Sequence, residues 1–180
     1  DGAAVASRWR LGAAFLAAGE LERGREELES CVDLDEGFYW AWLELARVSE
    51  QLGEFAGAYD EAVTAAEAAQ RGRAPSAAYF WSHAARLALR ANNNSARESA
   101  AANVQRLAPQ LRTDQLQGVR DCVAARDWKS AEGLMDLLRA VWPRDLEVMD
   151  MTRQLAAEPR LAPSEADDDD DVTGLDAEDE

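Results

Sequence analysis

The apolar residues in the first half of the chain recur at helical spacing, with short turns between the periodic segments. From Trp42 to Ala65 this spacing predicts an amphipathic helix, a turn at Gly53 and a second helix. The same pattern occurs 34 residues earlier without a gap. The matching positions are Leu11, Gly12, Gly19, Leu21, Gly24, Leu28 and Cys31, which precede Leu45, Ala46, Gly53, Phe55, Ala58, Ala62 and Ala65. A helix pair of 34 residues is therefore the unit that organises the chain.

Two further helix pairs follow a cluster of turn-forming residues. Residues 71–76 read RGRAPS, and we expect this cluster to break the helix and to interrupt the regular stacking of the pairs. The third pair is predicted to turn near Asn93 and to close on Pro109. The fourth is predicted to turn near Arg126 and to close on Pro143, 34 residues after Pro109. The period therefore resumes in a second register.

The last periodic segment predicts a helix that covers the end of the array. Asp145 can cap a helix over residues 146–157, whose apolar residues Leu146, Met149 and Leu155 are predicted to face one way. An array of repeats needs such a terminal helix because its last unit has no neighbour. From Ser164 onward the composition is that of an acidic, disordered segment.

These patterns predict one domain followed by a tail. The repeat domain spans 1–158 and the acidic tail spans 159–180. The predicted repeats are 5–37, 38–71, 78–111 and 112–143, and the predicted capping helix is 145–158.

The formal charge of −16 is concentrated at the C-terminus. Ten acidic residues and no basic ones follow Arg160, so residues 1–160 hold 25 acids against 19 bases. This charge argues against a nucleic-acid partner.

Apolar runs are too short to span a membrane, and no signal sequence opens the chain, so we expect a cytoplasmic protein. The first residue is Asp1 rather than Met, which we interpret as a processed chain or a piece of a longer protein.

The repeat unit resembles a known family. A 34-residue helix pair with a W-x2-L-G-x2-Y pattern, a Gly turn and a closing Pro is similar to the tetratricopeptide repeat. The matching residues are Leu11-Gly12-x2-Phe15, Trp42-x2-Leu45-Ala46, Pro109 and Pro143. Three departures stand out: Ser49 replaces an aromatic residue, Arg97 replaces a small residue where helices cross, and the fourth unit lacks its first aromatic. The resemblance implies an all-α, right-handed α-solenoid of about four repeats whose first helices line a concave, peptide-binding groove.

Catalytic and metal-binding chemistry has little support in the sequence. His83 is the only histidine, and an ordinary helical histidine is the simpler interpretation than a general base. Cys31 and Cys122 are too few for a disulfide framework, and no Cys–His spacing indicates zinc. Phosphate-binding and dinucleotide-binding motifs are absent from the sequence. We therefore expect no enzyme, no cofactor and no metal.

A candidate partner-binding surface follows from the helical wheel. Arg47, Arg86 and Arg120 recur at the same position of three successive first helices, opposite the core residues. Together with neighbouring aromatic and apolar residues they would bind an acidic, partly apolar peptide. The predicted site residues are Trp9, Trp40, Leu43, Arg47, Tyr79, Arg86, Arg90, Leu116 and Arg120. The alternative is that these arginines pair with Glu44, Glu50 or neighbouring helices and have no ligand.

The sequence thus favours a non-catalytic scaffold or adaptor with a protein or peptide partner, and it leaves the oligomeric state open. Two other functions stay open: a subunit that assembles through its convex face or ends, and a regulatory module of an enzyme upstream of residue 1. The acidic tail has three interpretations. It is a solubilising end, a site for a basic partner, or a peptide that occupies the groove of its own or a neighbouring molecule.

Overall fold

The computed structural model describes residues 2–157, and these residues form nine α-helices and no strand. The helices are α1 (Gly2–Ala17), α2 (Leu21–Leu34), α3 (Tyr39–Gln51), α4 (Phe55–Arg71), α5 (Ala77–Arg90), α6 (Asn94–Leu107), α7 (Leu111–Ala124), α8 (Trp128–Val141) and α9 (Leu146–Ala157). The predicted acidic tail, 159–180, lies outside the described residues.

The turn within each helix pair has the same backbone geometry. Gly19 and Gly53 both have a φ of 79°, and Asn92 and Arg126 have φ values of 55° and 59°. In the first turn the N–H of Glu20 donates to the Phe15 carbonyl at 2.9 Å, the long-range bond of a Schellman cap. The predicted turns near Gly19, Gly53, Asn93 and Arg126 are confirmed, and the left-handed residues repeat every 34 residues in both registers.

Small residues allow the helices of the first two pairs to pack closely. A Cβ atom built on Gly12 would lie 3.2 Å from the Gly24 carbonyl oxygen, so α1 and α2 cross almost backbone to backbone. In α4 the contact face consists of alanines that are fully buried. These are Ala58, Ala62, Ala65, Ala66 and Ala69. The alanine-rich composition therefore reflects the close spacing of the helices.

Three apolar clusters form the core along the array. One lies between α1, α2 and α3, the second between α3, α4, α5, α6 and the end of α8, and the third between α7, α8 and α9. Leu45 is 3% exposed and Leu138 is fully buried, as the periodicity predicts.

The stacking of the pairs is not uniform along the array. The turn cluster ends α4 at Arg71, as predicted, and α5 packs more extensively on α4 than α3 does on α2. The fourth pair instead docks through its second helix, because α8 rather than α7 packs against α5 and α6. Ala140 and Val141 of α8 join the central cluster, whereas Met135 and Leu138 of the same helix join the third.

The last helix, α9, covers α7 and α8, but the face that it buries is not the predicted one. Asp145 caps it, since its Oδ1 accepts hydrogen bonds from the N–H groups of Glu147 at 3.0 Å and Val148 at 3.1 Å. The buried residues are Val148, Met151 and Leu155. Leu146 is 81% exposed and Met149 is 40% exposed, so their predicted burial is wrong. The helix is rotated so that Met149 points towards α5 and α6 instead.

Candidate peptide-binding surfaces

Four of the predicted site residues with exposed or half-buried side chains lie together on α3 and α5. Trp40 packs edge-on against the Phe80 ring, with centroids 5.0 Å apart, yet it remains 37% exposed. Tyr79 is half-buried beside Phe80. Arg47 and Arg90, further along the same two helices, have 45% and 51% of their side chains exposed. We call this stripe, with Glu50 and Arg86 in its middle, the α3–α5 surface.

Arg86 and Glu50 join the two helices at the centre of this surface. The guanidinium of Arg86 donates two hydrogen bonds to Glu50, at 2.5 and 2.6 Å, and both side chains are largely buried. Burial acts to raise the pKa of Glu50, but the Arg86 hydrogen bonds and the Arg86 and Arg90 charges outweigh it and leave the pKa below its ordinary value. Arg86 therefore forms an ion pair that joins α5 to α3, as the alternative interpretation of these arginines predicts.

The other two arginines keep donors free for a ligand. Arg47 is held by one hydrogen bond to Glu44, at 2.7 Å on its own helix. Arg90 lies 3.4 Å from Glu50 and stacks over the Phe55 ring at 4.7 Å. A guanidinium has five N–H donors, so each retains most of its hydrogen-bonding capacity.

His83 is a half-buried side chain of the same surface. Burial, together with the charges of Arg86 and Arg47, lowers its pKa to about 3. Its ring packs edge-on against Tyr79 at 4.5 Å, and its Nε2 has no hydrogen-bond partner among the described residues. The ring is therefore neutral at neutral pH.

Two of the predicted site residues are buried, so their expected exposure is wrong. Leu43 and Leu116 are each 1% exposed. Leu43 belongs to the central cluster with Phe80. It lies on the face of α3 that was predicted to be exposed, but α5 covers the middle of that face. Leu116 is enclosed by α8 and α9. A helical wheel places residues around one helix and cannot show what a neighbouring helix covers.

The remaining two predicted residues lie apart from the α3–α5 surface. Trp9 is half-buried against Phe38, with ring centroids 5.8 Å apart, in the first cluster. Arg120 donates to Glu147 at 2.6 Å and so ties α7 to the start of α9. Arg112 binds Asp145 and Glu147 in the same network, and its hydrogen bonds hold the pKa of Asp145 below its ordinary value. The three arginines do not form one row, because the fourth pair docks through α8.

A second surface, absent from the sequence prediction, lies where α6, α8 and α9 meet the end of α5. It is a cleft of about 630 Å³. Two large apolar side chains with unusual exposure line it: Leu89 at 43% and Met149 at 40%. Its charged lining consists of four arginines and one acid, which are Arg97, Arg139, Arg144, Arg153 and Glu98. We call it the basic cleft.

One sequence signal does point to the basic cleft. Arg97 stands at a position where the repeat pattern has a small residue. Only 12% of its side chain is exposed, and its guanidinium donates to the Ala140 carbonyl of α8 at 2.9 Å. This side chain bonds α6 to α8, and it does so where the fourth pair docks through α8.

The fold defines the class of protein, a helical-repeat protein built from helix–turn–helix pairs. The PilF protein of Pseudomonas aeruginosa matches 87% of this chain and 69% of its own, with a TM-score of 0.55 at 15% identity. A chain of the APC/C hetero-tetramer Cut9-Hcn1 matches 82% of this chain with a TM-score of 0.50 at 14% identity. This chain spans only 29% of the length of that one. Both are tetratricopeptide-repeat proteins, and the chain described here has the tetratricopeptide-repeat fold.

Sequence comparison adds no relative: no family model and no curated protein matches. Among residues 2–157, no helix combines the length and apolar character that crossing a membrane requires.

Proposed function

We propose that this protein is a non-catalytic scaffold for protein–protein interaction whose α3–α5 surface binds a partner segment with apolar and acidic side chains. One observation carries the proposal: an exposed tryptophan ring shares a stripe with two exposed, largely free guanidinium groups, those of Arg47 and Arg90. Tryptophan and arginine are the residue types that dominate binding energy at protein interfaces.

The fold supports a protein partner in general terms. Tetratricopeptide-repeat proteins generally serve as interaction modules, and the Cut9-Hcn1 structure is itself a hetero-tetramer. The charge of the α3–α5 surface favours a modestly acidic segment, because Glu44 and Glu50 offset part of the charge of Arg47, Arg86 and Arg90. Apolar contact with Trp40 therefore supplies much of the expected affinity.

Selection from a random peptide library tests this proposal. The full chain is used as bait, and the affinities of the selected peptides are measured for the wild type and for a variant with Trp40→Ala, Arg47→Gln and Arg90→Gln. We expect peptides that combine Asp or Glu with large apolar residues, and a loss of more than about tenfold in affinity for the variant, since one interface hot spot is worth about 2 kcal/mol.

The matched control removes one exposed apolar side chain and two arginines elsewhere. The control carries Arg10→Gln on α1, Leu34→Ala on α2 and Arg73→Gln in the turn before α5. The control should bind like the wild type. Equal binding by wild type, variant and control would overturn the proposal and would favour a subunit that assembles through its convex face or ends.

A further inference from the structure

The basic cleft has a local charge opposite to that of the molecule around it. Residues 2–157 contain 23 acids and 18 bases, so the described part of the chain is acidic. The lining of the cleft nevertheless carries four arginines against Glu98, which is itself 73% exposed. A basic site on an acidic body selects for acidic ligands, because the rest of the surface repels them.

The arginines of the cleft retain capacity for a ligand. Arg144 makes no ion pair with any described residue. Arg153 approaches Asp150 no closer than 3.8 Å, with 71% of its side chain exposed. Arg139 pairs with Asp136 but has 42% of its side chain exposed. Arg97 is the structural member of the set, held by the Ala140 carbonyl.

The cleft also has exposed apolar side chains, and a second hollow extends it. Leu89 and Met149 present exposed apolar surface between the arginines. A second hollow of about 470 Å³ shares Arg97, Glu98, Pro143 and Arg144 with the cleft and continues it past Trp142. A ligand that fits this site is an extended segment with several carboxylates and a few apolar side chains.

We propose that the basic cleft binds the acidic C-terminal segment of this same chain, residues 167–175. Its sequence, DDDDDVTGL, places five carboxylates before Val172 and Leu175. The aspartates pair with Arg139, Arg144 and Arg153, and the two apolar side chains contact Leu89 and Met149. The segment thereby occupies the cleft and keeps other acidic segments out of it.

The chain length between α9 and the segment permits this contact. Helix α9 lines the cleft with Thr152 and Arg153 and ends at Ala157, one turn further on. Nine residues connect Ala157 to Asp167, and a chain of that length reaches at most about 35 Å. Such a short tether gives an effective concentration of about the millimolar range, so a weak contact is populated.

Paramagnetic broadening of methionine methyl signals tests the proposal in the full chain. A nitroxide is attached at Thr173→Cys, with Cys122→Ala removing the other accessible thiol, since Cys31 is buried. Met149 lines the cleft, and the Trp9 indole signal, in the first cluster at the other end of the array, serves as the internal reference. We expect strong broadening of the Met149 methyl signal near 0.1 M salt and recovery near 1 M, where the Debye length falls to about 3 Å.

Two charge variants decide whether the cleft is responsible. Arg144→Gln with Arg153→Gln should restore most of the Met149 signal, whereas Arg10→Gln with Arg73→Gln should leave it broadened. Equal recovery in the two variants, or a Met149 signal that is never broadened, would overturn the proposal. Mixing spin-labelled chain with separately methyl-labelled chain supplies a further check. Broadening that persists undiminished in the mixture would show that the segment binds a neighbouring molecule, which contradicts binding within one chain.

Discussion

At the scale of single residues, Asn92 and Arg126 occupy the turn position that glycine occupies in the first two helix pairs. All four residues have positive φ and end a helix with the same cap. A left-handed conformation costs a residue with a side chain about 1–2 kcal/mol, and asparagine tolerates it better than arginine does. The last helix pair therefore carries backbone strain that the first two avoid.

Replacing Arg126 by glycine should stabilise the protein. Relief of the strain outweighs the added freedom of the unfolded chain, so we expect a gain of about 0.5–1 kcal/mol in the free energy of unfolding, measured by urea denaturation. Asn92→Gly should gain less, and Gly53→Ala should lose about 1 kcal/mol because it introduces the same strain. A destabilised Arg126→Gly chain would contradict this account of the turn.

The neutral state of His83 predicts a pH dependence. Its pKa is about 3 in the fold and near 6.5 in the unfolded chain, so the unfolded state binds one more proton between these values. Stability contributed by neutral His83 is therefore complete above pH 6.5 and falls as the pH drops towards 3. The groups that face it are Tyr79, Arg86, Arg47 and Glu50.

The prediction is checked on the wild type and His83→Leu, because subtracting the two removes the titration of all other groups. The free energy of unfolding of the wild type should decrease relative to the variant between pH 7 and pH 5. The single histidine should also show no titration of its ring proton signals in that range. A ring that titrates near pH 6.5 would contradict the lowered pKa of His83.

At the scale of elements, α8 determines the architecture of the C-terminal half. It is buried on two sides, with Ala140 and Val141 against α5 and α6, and Met135 and Leu138 against α7 and α9. A helix with two apolar faces can sit between two layers, whereas α7, with fewer buried residues, lies outside it. This position brings the end of α8 and the residues after it to the basic cleft, which Arg139, Pro143 and Arg144 line.

The two-sided packing of α8 predicts coupling between the second and third core clusters. Leu138→Ala should cost about 2–5 kcal/mol, as for other deletions of a buried leucine. Hydrogen exchange should then accelerate in α7, α8 and α9, and also in α6, because loss of α8 uncovers that helix. Protection of α1 and α2 should stay unchanged, and Leu28→Ala supplies the matched control in the first cluster. Unchanged exchange in α6 would show that the clusters are independent.

Local structure was largely predictable from the sequence, because it depends on local rules. The 34-residue period predicted the helix pairs and the turns near Gly19, Gly53, Asn93 and Arg126, since spacing and turn residues act over a few positions. The cap at Asp145 followed from the same rules. Burial of Leu45 and Leu138 needed only the assumption that each pair packs on a neighbour.

The predictions of exposure and burial were wrong wherever they depended on how the helices pack on one another. Leu43 is buried because α5 lies over it, and Met149 is exposed because α9 is rotated relative to the predicted face. The docking of α8 in place of α7 separates Arg120 from Arg47 and Arg86. These facts depend on long-range packing, for which periodicity carries no signal. Arg97, the misfit in the repeat pattern, was the one local indication of the change.

At the scale of the whole molecule, two surfaces lie side by side around α5. The α3–α5 surface is rich in aromatic rings. The basic cleft, on the other side of the helix end, is lined by four arginines, of which Arg144 has no ion pair with a described residue. Leu89 and Arg90 are adjacent residues that line the cleft and the α3–α5 surface, respectively. We propose that the first surface binds an external partner and that the second binds the acidic end of the chain.

The indole N–H signals of the tryptophans give the most direct measurement of the central claim. A peptide selected against the full chain is titrated while these signals are recorded. Binding at the α3–α5 surface should shift the Trp40 indole signal most, because its ring is exposed there. Trp128, between α7 and α8, should stay unchanged. Shifts at Trp142, beside the basic cleft, with none at Trp40, would contradict the account and would place the external partner at the other surface.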